Sequence, residues 1–469
     1  QCPYLNVNAA KYSKTYWDNS MTVFDHERNT RLDLDFAGLR RGVYSDKYFA
    51  NVVQVLSAAH ESGYRYAGTH PRPLPVDLSS VAVGDLIVEV QIFTRRAPYA
   101  LIAGVDAALA MIRHCTGYWH DDTFVETWKS LAVEAVEDGV IVPYDGHPDQ
   151  VRPVIKLRGC YRDFALLETP ILGVLSRASR IATNVLDVLR ASNGKPILFF
   201  PARFDLAEVQ AVDGYAYWLA VQAYNHESGH HTQPAISTDQ QGAWWGGHGG
   251  GTIPHALIAA FFGDTAEAMV AFARSLPITV PRYVLADFNN DSVGDSLATA
   301  TAFWPHYRAA LEANDADAQR RWTLDGVRLD TSLSVRDVSL GPDDPYGVNA
   351  PLVRVVRAAL DRAWESWDVP DHLRPAAQSY CQNIKIVVTG GFNAERIAQF
   401  EHDNVPVDVY GVGSALLRND SETNTDFTMD VVRVQIAGVW YDVPKVGRTP
   451  NANPDLQPVQ LGELAQHDR

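Results

Sequence analysis

The sequence predicts an α/β protein: an irregular α/β barrel with a flanking α/β sandwich domain built from the N- and C-terminal parts. Three observations carry this expectation. From residue 197 onward, short apolar runs at 197–200, 283–286, 326–329, 384–388 and 407–410 alternate with helical stretches at 266–275, 296–313, 352–367 and 394–400. Strand–helix alternation of this kind marks a parallel sheet or an α/β barrel. Glycines and charged residues gather at the ends of those runs, where such barrels bind their ligands. Finally, residues 431–436 and 439–443 read as a hairpin in a separate sheet. The expected division is a sandwich domain over 1–150, a barrel over 151–414, and a segment over 415–469 that packs on the first domain.

Taken in order, residues 1–20 are polar and aromatic without clear periodicity and read as an arm that must pack on something. Residues 22–42 mix charges with Phe24, Leu32, Leu34 and Phe36. Residues 44–49 lead into a helix over 50–56, with Ser45 or Asp46 near its N-cap. Residues 86–93, β-branched and partly alternating, predict a strand. A helix is expected over 107–112 with Asp106 as its N-cap. A strand over 151–157 is followed by 164–167 and a long amphipathic helix through 189. Residues 216–224 are also helical in pattern. No internal repeat or low-complexity segment interrupts the series.

The totals bound the function. A chain of 469 residues forms more than one domain, or one large barrel with an appendage. The 46% hydrophobic content suits a globular protein with sizeable cores. No uninterrupted apolar run of about 18 residues predicts a membrane span, and no secretory leader is expected. A formal charge of −16 repels phosphate backbones, so nucleic acid is not an expected partner. The four cysteines (Cys2, Cys115, Cys160, Cys381) are scattered without a CxxC, which argues against a zinc ribbon or disulfide framework. A reducing cytoplasm is the expected compartment.

The chemistry centres on residues 249–258. Gly249, Gly250 and Gly251 precede Thr252, Ile253, Pro254 and His255, and an apolar helical run follows. Glycines allow close backbone approach to a ligand, and a helix start just beyond them offers free N–H groups to an anion. Its bland counterpart is a turn with a core histidine. Other strand ends carry further groups. Phe200 and Arg203 could stack on a ring and bind an anion. Asp287 ends one run, and Arg328 and Asp330 share one strand face. Two glycine turns, Thr389-Gly390-Gly391 and Gly411-Val412-Gly413, stand at neighbouring strand ends and make a backbone cradle for phosphate. Singly, each is as readily a structural ion pair, a helix cap or a tight turn.

In this order the segments 44–49, 253–257, 326–332, 389–391 and 405–417 resemble nicotinate phosphoribosyltransferases, within the type II phosphoribosyltransferases. The resemblance covers residues 42 to 448. It implies transfer of a phosphoribosyl group from phosphoribosyl pyrophosphate to nicotinate in NAD biosynthesis, with Mg2+ as cofactor, ATP as co-substrate, and a homodimer with shared active sites. By resemblance, Tyr48 in Asp46-Lys47-Tyr48 stacks on the pyridine from the neighbouring subunit, and Phe200 is the aromatic on its other face. Arg203 and Arg328 lie near the nicotinate carboxylate and the phosphates, and Asp239 near the pyridine. Asp330 and Asp287 lie near the ribose and the metal-bound pyrophosphate, and His255 is the histidine phosphorylated by ATP.

The chain departs from the family at Phe199 and Pro201, where an acidic residue and a glycine are usual. It also has extra length at 225–234, and an unfamiliar run at 244–248. The extra length contains His226-Glu227-Ser228-Gly229-His230, an HExxH pattern that on a continuous helix would bind zinc for a peptidase. The same residues also admit a nicotinamide-using enzyme on the same scaffold, or a non-catalytic phosphosugar- or pyridine-binding protein.

Overall fold

The computed structural model describes residues 31–147 and 149–463. The arm at 1–20, Cys2 and Phe24 lie outside the described residues. Two six-stranded sheets dominate, each with its own hydrophobic cluster.

The flanking sheet is antiparallel, ordered Val439–Asp442, Phe427–Ile436, Ile87–Thr94, Ile155–Cys160, Ala132–Ala135, Gln457–Pro458. It is thus assembled from both ends of the chain, as the fold class required. The expected hairpin forms: Phe427–Ile436 and Val439–Asp442 are joined at Ala437 and Gly438, both at positive φ (48° and 82°), the tight turn that matches strand twist. On the central strand Ile87–Thr94, Val88, Val90 and Ile92 face the apolar cluster. Glu89 and Gln91 on its other face are buried as well. Glu89 accepts from Arg158 at 2.6 Å and Arg433 at 3.1 Å. Gln91 bonds the backbone of Thr449 and Asn451, each at 2.9 Å. The strand read at 151–157 forms at Ile155–Cys160 and joins this sheet rather than the barrel.

The second sheet is parallel throughout and curls into a half-barrel. Its order is Tyr283–Leu285, Gly326–Leu329, Lys385–Val388, Val409–Val412, Ile197–Phe199, Ala235–Ile236. Among the described residues no ladder joins the outermost strands, Ala235–Ile236 and Tyr283–Leu285. The helices Thr265–Ser275, Ser292–Glu312, Ala350–Arg362 and Ala394–His402 connect successive strands. Period two decides what each strand residue does. Val327, Leu329, Ile386, Val388, Tyr410 and Val412 are buried beneath the helices. Their alternates Arg328, Asp330, Val387, Thr389, Gly411 and Gly413 face the interior.

The long helix Glu168–Ala191 packs against the helix Gln210–Ser228 and touches both hydrophobic clusters. Arg177 ties the pair by bonding Asp213 at 2.7 Å. One capping expectation needs correction. Asp106 is not an N-cap: Gly104, at φ 95°, holds that position in the helix Val105–Cys115. The distant Asp138 carboxylate takes the free N–H groups of Val105 (2.8 Å) and Asp106 (3.2 Å). Asp46 is the N-cap residue of the helix Lys47–Glu61, as expected, though its side chain makes no cap bond and its Oδ2 accepts from Tyr48 and Thr169 instead.

Candidate active site

The curled sheet encloses a cavity of about 930 Å³. Lys385 and Tyr283 lie toward the N-terminal ends of the strands, and Arg328, Asp330, Thr389, Gly390, Gly391, Gly411 and Gly413 line the C-terminal ends. Phe200 and Arg203 complete this end. Phe200 stands just past its strand and donates its N–H to the Val412 carbonyl at 2.9 Å, so Val412 is a backbone anchor with a buried side chain.

Arg328 and Asp330 meet as their spacing predicts, with Nη2 to Oδ2 at 2.8 Å. The Arg328 guanidinium also lies 5.5 Å from the centre of the Phe200 ring, within cation–π range. The Arg203 guanidinium stacks on Phe204 at 5.3 Å. Among the described residues it has no carboxylate partner. The glycine turn Gly390–Gly391 has φ 88° and 71°, a conformation that other residues adopt only with strain. Arg396, in the first turn of the helix Ala394–His402, holds that turn through the Gly390 carbonyl at 2.7 Å.

His255 opens the short helix His255–Ala260 directly after Pro254, which lines the cavity. Its Nε2 lies 3.0 Å from Asp287 Oδ1. Burial holds the Asp287 carboxyl above the ordinary range, opposed by His255 and reinforced by the charge of Asp330. The His255–Asp287 pair therefore stands beside the cavity, within electrostatic reach of Asp330. With Asp287 accepting from Nε2–H, Nδ1 of the half-exposed ring keeps the lone pair.

Asp239 and Tyr48 stand outside this chain's cavity. Asp239 accepts from Gly249 N–H at 2.9 Å and fastens the glycine stretch instead of lining the cavity. Tyr48 is 60% exposed on the flanking layer, with its hydroxyl on Asp46 at 3.1 Å. Nor does the HExxH pattern form a zinc site. The helix ends at Ser228, Gly229 reverses the chain at φ 74°, and His230 lies beyond it. Glu227 is gripped by Arg190 through two bonds of 2.7 Å. Among the described residues no cluster of three metal-ligating side chains occurs.

Phe204, Arg396 and Lys385 escaped the sequence reading. Phe204 had a signal, since it follows Arg203 and occupies the space a side chain at Gly413 would need. Lys385 had one in its two-residue spacing from Val387 and Thr389. Arg396 had none, because its target is the carbonyl of a turn.

No family model matches the chain. Among solved structures, the nicotinate-nucleotide pyrophosphorylase from Pyrococcus furiosus superposes with a TM-score of 0.57 at 22% identity, over 93% of each chain. Human nicotinic acid phosphoribosyltransferase matches more loosely, with a TM-score of 0.48 and 16% identity over 83% of this chain and 75% of that one. The curled parallel half-barrel, its strand-end cavity and the sheet built from both chain ends thus give this protein the fold of the Pyrococcus furiosus nicotinate-nucleotide pyrophosphorylase.

Proposed function

We propose that the protein is a phosphoribosyltransferase of NAD biosynthesis, and specifically one that joins nicotinate to phosphoribosyl pyrophosphate, giving nicotinate mononucleotide and pyrophosphate. One observation carries this above all: Phe200, Arg203 and Arg328 share the end of the cavity that also holds the positive-φ turn Gly390–Gly391. A planar ring bearing a carboxylate fits an aromatic face flanked by guanidinium groups. A phosphosugar fits a glycine turn beside a carboxylate. The shared fold with a nicotinate-nucleotide pyrophosphorylase supports the same reaction class.

In the forward step the pyridine nitrogen bonds to the anomeric carbon while the carbon–oxygen bond to pyrophosphate breaks, and pyrophosphate leaves with the electron pair. Positive charge develops on the ribose, so the protein's work is positioning and electrostatics. The Asp330 carboxylate suits the ribose hydroxyls and the developing charge. Asp287 and Asp330 are the carboxylates that suit Mg2+ carried in on pyrophosphate, since that ion needs only one or two protein ligands beside its phosphates. The ion would neutralise the leaving group.

His255 is the proposed acceptor of the ATP γ-phosphoryl group. Nδ1 bonds to the γ-phosphorus as its bond to the bridging oxygen breaks, ADP leaves with the electron pair, and Asp287 stabilises the positive charge that forms on the ring. Tyr48, exposed and outside this chain's cavity, suits a homodimer in which it covers the ring in the partner's site. A cytoplasmic enzyme with no nucleic-acid or membrane partner is consistent with the acidic charge; among the described residues no helix is long and apolar enough to span a membrane.

The test is a panel of pyridine bases with phosphoribosyl pyrophosphate, with and without ATP. Nicotinate should be preferred over nicotinamide, because Arg203 needs an anion. ATP should stimulate the wild type and leave His255→Ala at its basal rate. Transfer to no base would overturn the reaction class, preference for nicotinamide the role of Arg203, and equal stimulation of both proteins the role of His255.

A further inference from the structure

Thr389 stands beside the glycine turn, where a phosphate contact was expected. Its side chain does something else. The residue is 3% exposed. Its Oγ1 accepts from Arg328 Nε at 3.1 Å and faces two acceptors, Asp330 Oδ1 at 2.6 Å and the Leu329 carbonyl at 3.1 Å, of which the nearer carboxylate takes the proton. With the direct Arg328–Asp330 bond at 2.8 Å, three side chains close a ring across two neighbouring strands. A hydroxyl has one proton and two lone pairs, so the threonine is used as donor to the carboxylate and acceptor from the guanidinium at once.

The geometry points to Thr389 as the positioning residue of the site: it fixes the plane of the Arg328 guanidinium and the orientation of the Asp330 carboxylate before substrate arrives. This rests on the proposed transfer reaction. Asp330 alone grips Arg328 through a single nitrogen, which leaves a long side chain free to rotate about that contact. The bond at Nε adds the second point that defines a plane, and the remaining guanidinium N–H groups have no protein partner among the described residues. A guanidinium so held pays less ordering cost when it meets an anion.

An independent observation concerns the next strand. A side chain at Gly411 would collide with the Thr389 methyl group and come within 3.1 Å of the Phe200 ring. Gly411 is therefore a glycine because Thr389 and Phe200 fill its side-chain space, whatever else its backbone does. The methyl occupies that space while Oγ1, held by its hydrogen bonds, lies between Arg328 and Asp330.

The experiment compares Thr389→Ser with Thr389→Ala. Both lose the methyl, so they share any packing defect and differ only in the hydroxyl. Wild-type transfer establishes the reaction first. Thr389→Ser should keep kcat/KM within about threefold of wild type, and Thr389→Ala should lose roughly 10- to 100-fold, the range for a hydrogen bond to a charged group. The isosteric Thr389→Val should fall with alanine despite better packing. Equal activity of the serine and alanine variants overturns the proposal while leaving the reaction intact. Should wild type transfer to no base, crystal structures of the same variants still decide it. Arg328 should leave its place over Phe200 in the alanine and valine variants and keep it in the serine variant, and an unmoved Arg328 in the first two overturns the assignment.

Discussion

The two sheets treat charge in opposite ways. In the flanking sheet the buried carboxylate of the central strand is answered. Glu89, buried to 1% exposure, lies between Arg158 and Arg433, and those two reach on to Glu134 at 3.0 Å and Asp442 at 2.8 Å. At the cavity the network stays open. Among the described residues Arg203 lacks a carboxylate partner and Arg328 keeps free N–H groups, and burial holds the Asp287 carboxyl above its ordinary range. A closed network holds strands together, whereas an open one leaves binding capacity for a ligand. From the one-dimensional pattern both look alike, since Glu89-Val90-Gln91 and Arg328-Leu329-Asp330 each put polar groups two apart on a strand.

The contrast can be broken most forcefully at Arg328. Arg328→Ala should weaken transition-state binding by about 2–5 kcal/mol and leave the melting temperature little changed, as read from kcat/KM and calorimetry side by side. A variant with normal kinetics and a lowered melting temperature would make this pair structural, like those of the flanking sheet. The converse test is Glu89→Ala, which should lower unfolding free energy by about 2–3 kcal/mol. That is at the low end for breaking a buried pair, because both arginines stay partly hydrated. Specific activity of the folded fraction should not move. A fall in specific activity at unchanged stability would erase the distinction.

The smallest effect sharpens the comparison at the junction of the sheets. Glu168, first residue of the long helix, is pushed up to about 8 by burial, with like charge from Asp430 and Asp46 adding to it. Its folded-state affinity for a proton exceeds the unfolded one. Its stabilising contribution is therefore fully present below the usual Glu range and is lost as pH rises through about 8. Glu168→Gln should remove that loss, so that the change in unfolding free energy between pH 5 and 9 shrinks by roughly 2 kcal/mol. This is less than the full linkage value, because the group keeps solvent contact. Identical pH profiles for the two proteins would show that Glu168 ionises freely.

The parts legible in the sequence were those written in local periodicity. The strand at Ile87–Thr94, the hairpin at Phe427–Asp442 and the five apolar runs of the barrel all announce themselves by alternation or β-branching. Ala235–Ile236 was missed because two residues show no period. The Asp106 cap failed because Asp138, far along the chain, supplies the bonds instead. Within the site, Arg328 and Asp330 were readable from i, i+2 spacing. The hydroxyl that joins them was not, because Thr389 lies on another strand and its neighbours are fixed by sheet register. The HExxH pattern misled for a complementary reason: spacing makes a metal site only where the helix continues, and Gly229 ends it.

The pairing of Val90 with Val431 has a consequence in time. During synthesis at roughly 5–20 residues per second, a partner about 340 residues downstream emerges some 17–70 seconds later. Ile155–Cys160 arrives early and covers one edge of the strand Ile87–Thr94. The other edge, a row of backbone N–H and C=O groups later paired with Phe427–Ile436, must wait until the entire barrel has left the ribosome. A nascent chain therefore carries an open strand edge through most of its own translation, the kind of surface that invites pairing with other chains. The barrel is the part that can fold on time, and the sheet that frames it is completed last.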